Sequence, residues 1–146
     1  MKRITFLTAA FLCLSGLTES PAQDTQSNRN MEELKLTQEW DKTFPKSDKV
    51  NHSKVTFVNR YGITLAADLY VPKTTAGGEL PAIAVSGPFG AVKEQSSGLY
   101  AQKLAERGFL TIAFDPSYTG ESGGEPRYVA SPDINTEDFC AAVDFL

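Results

Sequence analysis

Gly120-Glu121-Ser122-Gly123-Gly124 matches the pattern G-x-S-x-G. That pattern can hold a nucleophilic serine, provided a strand leads directly into it and a helix leads directly out, because the strained turn lifts the hydroxyl into the site. Here Pro116 to Thr119 separate it from the preceding apolar run, and Pro126 and Pro132 follow it instead of a helix. Ser122 therefore reads as a loop residue. A second turn, Gly87-Pro88-Phe89-Gly90, also follows an apolar run. Such a turn can aim backbone N–H groups at a developing negative charge. Pro88 has no N–H to give, so Phe89 is the first donor after Gly87. Gly87 and Gly90 equally permit a tight turn with no chemistry in it, and both readings stand on these residues alone. The spacing is neither G-x-G-x-x-G nor G-K-[ST], which sets phosphate cradling aside. Lys93, Glu94 and Gln95 come next. They either line a substrate entrance or are solvated loop polarity, and the second is favoured because loops run over the surface. His52 is the only histidine. It has no nucleophile near it in sequence and reads as a surface or turn residue.

The elements around these loops decide where they point. Ala82 to Ser86 and Phe109 to Phe114 are short apolar runs, read as strands buried on both faces. Between them Ser96 to Arg107 has helical character, with Ser96 or Ser97 as the cap and Gly108 at the left-handed C′ position. Two strands joined by one helix make a parallel βαβ unit. Ligands of such sheets sit beyond the carboxyl ends of the strands. The loops 87–90 and 120–124 both leave from those ends, so both should border one site. Upstream, Lys54 to Val58 and Thr64 to Val71 alternate with period two and read as a hairpin with one buried face. Downstream, Asn135 or Thr136 should cap a last helix, with Phe139, Ala142, Val143 and Leu146 as its core-facing stripe. Cys140 falls on the apolar side of that helix and reads as a small core residue. Asp115 reads as a cap on the loop after its strand.

Hydrophobic residues make up 41% of the 146 and charged residues 22%, an ordinary soluble composition. The net charge is −4, and no basic patch interleaves with aromatics, which speaks against nucleic-acid binding. Residues 1–22 read as a secretory signal. Lys2 and Arg3 are followed by an apolar run, Ile4 to Leu17, and Ser20-Pro21-Ala22 offers a cleavage site after Ala22. The run is shorter than the roughly 20 residues that span a bilayer, so export to the periplasm or outside is expected, with no membrane attachment after cleavage. Cys13 leaves with the signal, and Cys140 alone can form no internal disulfide. Residues 23–49 form a polar leader. Within it Met31 to Phe44 could hold a short helix that pairs Trp40 with Phe44, and Pro45 ends it. Residues 50–146 are the domain proper. The last helix has no stop signal at Leu146 and the sheet has no third parallel strand. The expectation is an α/β domain incomplete at its C-terminus.

In this order the strand, the SGPFG turn, the helix, the strand ending in Phe114-Asp115 and the PSYTGESGG loop resemble the α/β-hydrolase superfamily. Asp115, Gly120, Ser122 and Gly123 match the family's D-x-x-G-x-G-x-S-like segment with one extra residue in the first gap. Ser86 replaces the usual His of the family's HG turn. GPFGAVKEQ followed by FDPSYTGESGGEPRY most resembles its dienelactone-hydrolase-like and acetyl-esterase-like bacterial members. The resemblance covers about Val55 to Leu146 and implies the N-terminal half of that fold. It implies Phe89 N–H as an oxyanion donor, with Gly87 and Gly90 shaping the turn. Lys93 and Glu94 are candidates for the substrate entrance. The family order of nucleophile, acid, histidine puts the whole triad after Leu146. The expected activity is hydrolysis of a small ester, lactone or amide, with no cofactor or metal implied. Xaa-Pro dipeptidyl-peptidase-like enzymes of the same fold are a variant of this reading. A secreted binding domain without a triad is the alternative from another class.

Overall fold

The computed structural model describes residues 33–73 and 77–146, so the expected signal segment lies outside the described residues. Strands β1 (Val50–Val58) and β2 (Thr64–Pro72) form the expected antiparallel hairpin. β3 (Ala82–Val85), α1 (Ser96–Ala105) and β4 (Leu110–Phe114) form the βαβ unit, with β3 and β4 parallel. β4 also pairs antiparallel with β2, so the sheet order is β1-β2-β4-β3. The last helix, α2, runs Pro132–Phe145.

The sheet has apolar residues on both faces. Phe57, Leu65, Ala67, Ile112 and Phe114 pack with Ala142 of α2. Val50, Tyr70 and Ala113 pack with Ala101 and Ala105 of α1 on the other face. β2 is therefore covered on both sides, not on one as its alternation suggests. The reason is its central place, which buries even its polar-facing residues Asp68 and Tyr70. β3 is the converse case. It stands at the edge of the described sheet and is only half-buried, where its apolar run predicts full burial.

Helix ends differ from expectation in instructive ways. α1 is preceded by Gln95, and neither Ser96 nor Ser97 caps it. Its far end behaves as expected. Gly108 has φ +101°, and Gly108 N–H and Phe109 N–H donate to Ala105 O and Leu104 O, which closes a left-handed helix end. α2 starts three residues before Asn135, with Ser131 at its cap and Pro132 in its first turn, where a missing N–H costs nothing. Its buried face carries Glu137, Asp138 and Ala142, while Phe139, Val143 and Cys140 are exposed among the described residues. Of the predicted stripe, Ala142 is buried, Leu146 packs against the same core and Phe139 meets Phe114 edge to face with ring centroids 5.0 Å apart, while Val143 departs from it and is exposed. The expected helix before Pro45 is not there: residues 33–44 are irregular. Trp40 and Phe44 still meet edge to face, with ring centroids 5.7 Å apart, and Trp40 Nε1–H donates to Phe44 O at 2.8 Å.

Candidate active site

β3 and β4 run parallel, so their carboxyl ends lie side by side and the loops 86–95 and 115–131 leave from one edge of the domain. Ser86 Oγ donates to Phe114 O at 3.2 Å, which fixes the exit of β3 against the end of β4. The turn that follows is shaped by its glycines. Ala91 N–H donates to Pro88 O at 2.9 Å, Gly90 has φ +82°, and a Cβ on Gly87 would lie 2.8 Å from Ala91 Cβ. Any side chain at 87 would open this turn, and at 90 it would strain it. Phe89 stands at the tip, 70% exposed, and its N–H has no backbone partner among the described residues.

The loop after β4 folds back on a single carboxylate. Asp115 is fully buried. Its Oδ1 accepts from Lys93 N–H at 2.7 Å, and its Oδ2 accepts from Lys93 Nζ at 2.7 Å and from Glu121 N–H at 2.9 Å. Gly120 lies so close that a Cβ there would fall 2.2 Å from Asp115 Oδ2. Ser122 is 2% exposed, donates its hydroxyl to Asp115 O at 2.7 Å and accepts from Ala66 N–H at 2.8 Å. Its hydroxyl is committed to the loop, as the sequence context implies, and does not face a site.

Lys93 departs from expectation. It is neither solvated nor at an entrance, since its side chain is buried. Its Nζ lies 2.7 Å from Asp115, 2.8 Å from Glu121 and 2.6 Å from Glu94. A buried ammonium is tolerable only with such company. Burial opposes its charge, but Asp115, then Glu121 and Glu94, outweigh it and push its pKa above the ordinary lysine value. Glu94 is largely covered and engaged in the same cluster. Both residues therefore hold the loop from inside, within one cluster of charges.

The cluster continues away from the loops. Lys54 Nζ lies 2.7 Å from Glu121 and 3.1 Å from Asp41. Burial raises the Glu121 pKa, but hydrogen bonds from Lys54 and Lys93 outweigh it and hold the carboxyl down at about 2. Lys42 bridges Asp41 and Asp68 at 2.7 and 2.9 Å. Asp68 in turn lies 2.7 Å from His52 Nε2. His52 is thus a strand residue of β1, packed between Trp40 and Tyr70 at centroid distances of 5.1 and 5.0 Å, and not a surface residue. Burial raises the Tyr70 pKa above its ordinary value. The segment before β1 closes this cluster over both loops. Thr37 N–H donates to Glu121 Oε1 at 2.7 Å and Thr43 N–H to Glu94 O at 3.1 Å. Nothing in the spacing of Lys42, Lys54 and Lys93 announces that they converge. The one sequence signal is that a polar stretch ahead of a strand holds an isolated Trp and Phe.

A hollow of about 390 Å³ beside α1, lined by Leu99, Tyr100, Lys103, Leu104 and Arg107, holds no carboxylate or hydroxyl nucleophile besides the Tyr100 phenol and lies away from both loops. Among the described residues no group of His, Cys, Asp and Glu is arranged to hold a metal.

The protein family described as X-Pro dipeptidyl-peptidase (S15 family) matches residues 61–146. An uncharacterized protein of Pseudomonas aeruginosa, PA2218, is 71% identical over 143 residues, covering 96% of this chain and 38% of that protein. Its crystal structure superposes with a TM-score of 0.76 over 78% of this chain and 36% of the other, at 79% identity. A thiohydrolase of Aspergillus aculeatus, aneE, is 32% identical over 100 residues, 68% of this chain and 30% of that one. The structure of DcsB with its substrate analogue matches at a TM-score of 0.59 and 27% identity, over 65% of this chain and 31% of that chain. The chain thus spans under two-fifths of the length of the relatives it matches. On the family match this chain belongs to the S15 family of X-Pro dipeptidyl-peptidases, and on that match and these superpositions it carries part of an α/β-hydrolase fold.

Proposed function

We propose that the protein is an exported hydrolase that cleaves an ester-type bond by nucleophilic acyl transfer, with Phe89 N–H as one donor of its oxyanion hole. The observation that carries the reading is the turn 87–91 at the end of β3. It presents an N–H without a backbone partner beside the carboxyl edge of the sheet. Ser122 is buried and committed, and on this reading the nucleophile lies outside the described residues. It would attack the substrate carbonyl, forming a bond to carbon while the carbonyl electron pair moves onto oxygen. Phe89 N–H and the N–H after the nucleophile would hold that oxyanion. Collapse expels the alcohol, and water then releases the acid by the same route. The thiohydrolase and the other relatives of similar name support acyl transfer as the reaction class. Within it, a dienelactone-hydrolase-like or acetyl-esterase-like substrate is the finer reading, and export rests on residues 1–22.

The family match favours a second reading, cleavage of a peptide bond after an Xaa-Pro pair. One experiment separates them. The intact protein, isolated from its native source, is exposed to a fluorophosphonate probe and then assayed on p-nitrophenyl acetate and on Ala-Pro-p-nitroanilide. Labelling with faster turnover of the ester supports the first reading. Faster turnover of the anilide supports the second. No label and no turnover would leave a non-catalytic binding domain on this fold.

A further inference from the structure

We propose that Asp115 is the positioning residue of the oxyanion turn. Its carboxylate, acting through Lys93 N–H and Glu121 N–H, sets where Phe89 N–H stands relative to the end of β4. The inference rests on the oxyanion role proposed for Phe89. Asp115 closes β4 and is rigid there, because its own N–H donates to Ala66 O at 3.0 Å and its O accepts from Ser122 Oγ. From that fixed point one oxygen holds the backbone at 93 and the other holds the backbone at 121. Residue 93 lies three positions past Gly90, in the short stretch between the turn and α1. α1 itself presses on this stretch, since a Cβ on Gly98 would fall 2.2 Å from Lys93 O. The turn is thus pinned on one side by Ser86 on Phe114 O and on the other by Lys93 on Asp115. Lys93 Nζ neutralises the carboxylate that does the pinning and is itself engaged by Glu94 and Glu121. A donor must be within a fraction of an ångström of its place to favour the transition state over the bound substrate.

The test uses the intact protein with a p-nitrophenyl ester. In Asp115→Asn one acceptor oxygen is replaced by an amide that repels the donors at 93 or 121. The expected result is a kcat roughly tenfold to a hundredfold lower, with KM nearly unchanged, because the hydrogen bond is weak to a carbonyl and strengthens as the oxyanion develops. The carbonyl band of the trapped acyl-enzyme should move to higher frequency as its hydrogen bond weakens. Gly120→Ala, which pushes a methyl onto the same carboxylate while keeping it, should lower kcat in the same direction and stands in if Asp115→Asn does not fold. Asp138→Asn removes a different buried carboxylate and should lower the melting temperature without changing kcat. Unchanged kcat and an unmoved carbonyl band in folded Asp115→Asn, or unchanged kcat in Gly120→Ala, would overturn the proposal while leaving the oxyanion reading intact. An inactive, unlabelled wild type would overturn the oxyanion reading itself and this inference with it.

Discussion

Asp115 and Asp138 are both fully buried, and the chain satisfies them by different means. Asp115 faces an ammonium, Lys93, which it shares with Glu94 and Glu121. Asp138 faces dipoles only. Asn59 Nδ2 donates to its Oδ1 at 2.8 Å, as does Ser117 Oγ at 2.8 Å, and Ser117 N–H donates to its Oδ2 at 2.8 Å. The first arrangement ties together the two loops of the candidate site. The second ties the hairpin turn, through Asn59, to α2 and to the start of the loop after β4. Asn59 is itself fixed, because its Oδ1 accepts from Tyr61 N–H and Ile63 N–H at 3.0 Å each. Sequence separation does not decide which is used, since the dipolar Asn59–Asp138 contact spans 79 residues and the ionic Lys93–Asp115 contact 22. The turn and α2 are also joined by an ion pair, Arg60 with Glu137, but at the surface, where the Arg60 side chain is 67% exposed.

The contrast is broken most severely by Asp115→Ala. That change leaves Lys93 buried with its one fully buried partner gone, and losing one member of a buried pair costs about 3–5 kcal/mol. Urea unfolding of the intact protein should show a fall of that size. A loss under about 1 kcal/mol would mean that Glu94 and Glu121 alone satisfy the ammonium, against the geometry at Asp115. Asp138→Asn should cost less, about 1–3 kcal/mol, because the amide keeps one acceptor and strands part of a donor set rather than a charge. Equal losses in the two variants would erase the distinction between ionic and dipolar clamps.

The two clamps also differ in how far the sequence shows them. Asp115 is legible: a polar residue ending an apolar run before Pro116 reads as the end of a strand with a loop to cap. Its partner is not. Lys93 lies 22 residues away and sits in a segment of loop polarity, so average exposure points to solvent. Only the sheet pairing, which brings the ends of β3 and β4 together, reveals the match. Asp138 misleads in the other direction. Beside Glu137 near the start of a helix it looks like a partner for the helix dipole, yet it is buried on one face with Glu137 and Ala142, and Val143 is left outside. The hairpin, the βαβ unit and the joint exit of the glycine loops follow from periodicity and punctuation, which are local. β1 begins at Val50, ahead of the alternating run, where Val50 is buried and His52 finds the buried Asp68, a partner that no local pattern displays.

Acid should separate the clamps further. The Glu121 pKa is depressed in the folded state to about 2, below an ordinary value of 4.5. Its contribution to stability is therefore complete above pH 4.5 and is lost as pH falls from there toward 2. Lys93 has the opposite sign. Its folded pKa is raised, so its contribution is present below the ordinary 10.5 and is lost only as pH rises past that value. Stability measured by urea unfolding between pH 5 and pH 3 should fall less steeply in Glu121→Gln than in the wild type. Parallel slopes would show that Lys54 and Lys93 do not hold this carboxyl. The effect is smaller than either aspartate substitution because Glu121 keeps some contact with water.

The smallest effect should come from the same chemistry placed in solvent. Lys103 Nζ lies 3.0 Å from Glu106 Oε2, close to the 2.7 Å of Lys93 on Asp115. The pair sits three residues apart at the exposed end of α1. The Lys103 ammonium is more than half exposed, so little is gained when it meets Glu106 and little is stranded when it leaves. Lys103→Ala should change unfolding stability by no more than about 0.5 kcal/mol, and added salt should reduce even that. A larger, salt-insensitive loss would mean that the Lys103 stem, which also lines the hollow beside Leu99 and Leu104, contributes by packing rather than by charge. Distance alone then ranks these pairs wrongly. What sets Lys93 on Asp115 apart from Lys103 on Glu106 is the absence of water around both groups of the first pair, which turns a similar separation into a constraint on two loops.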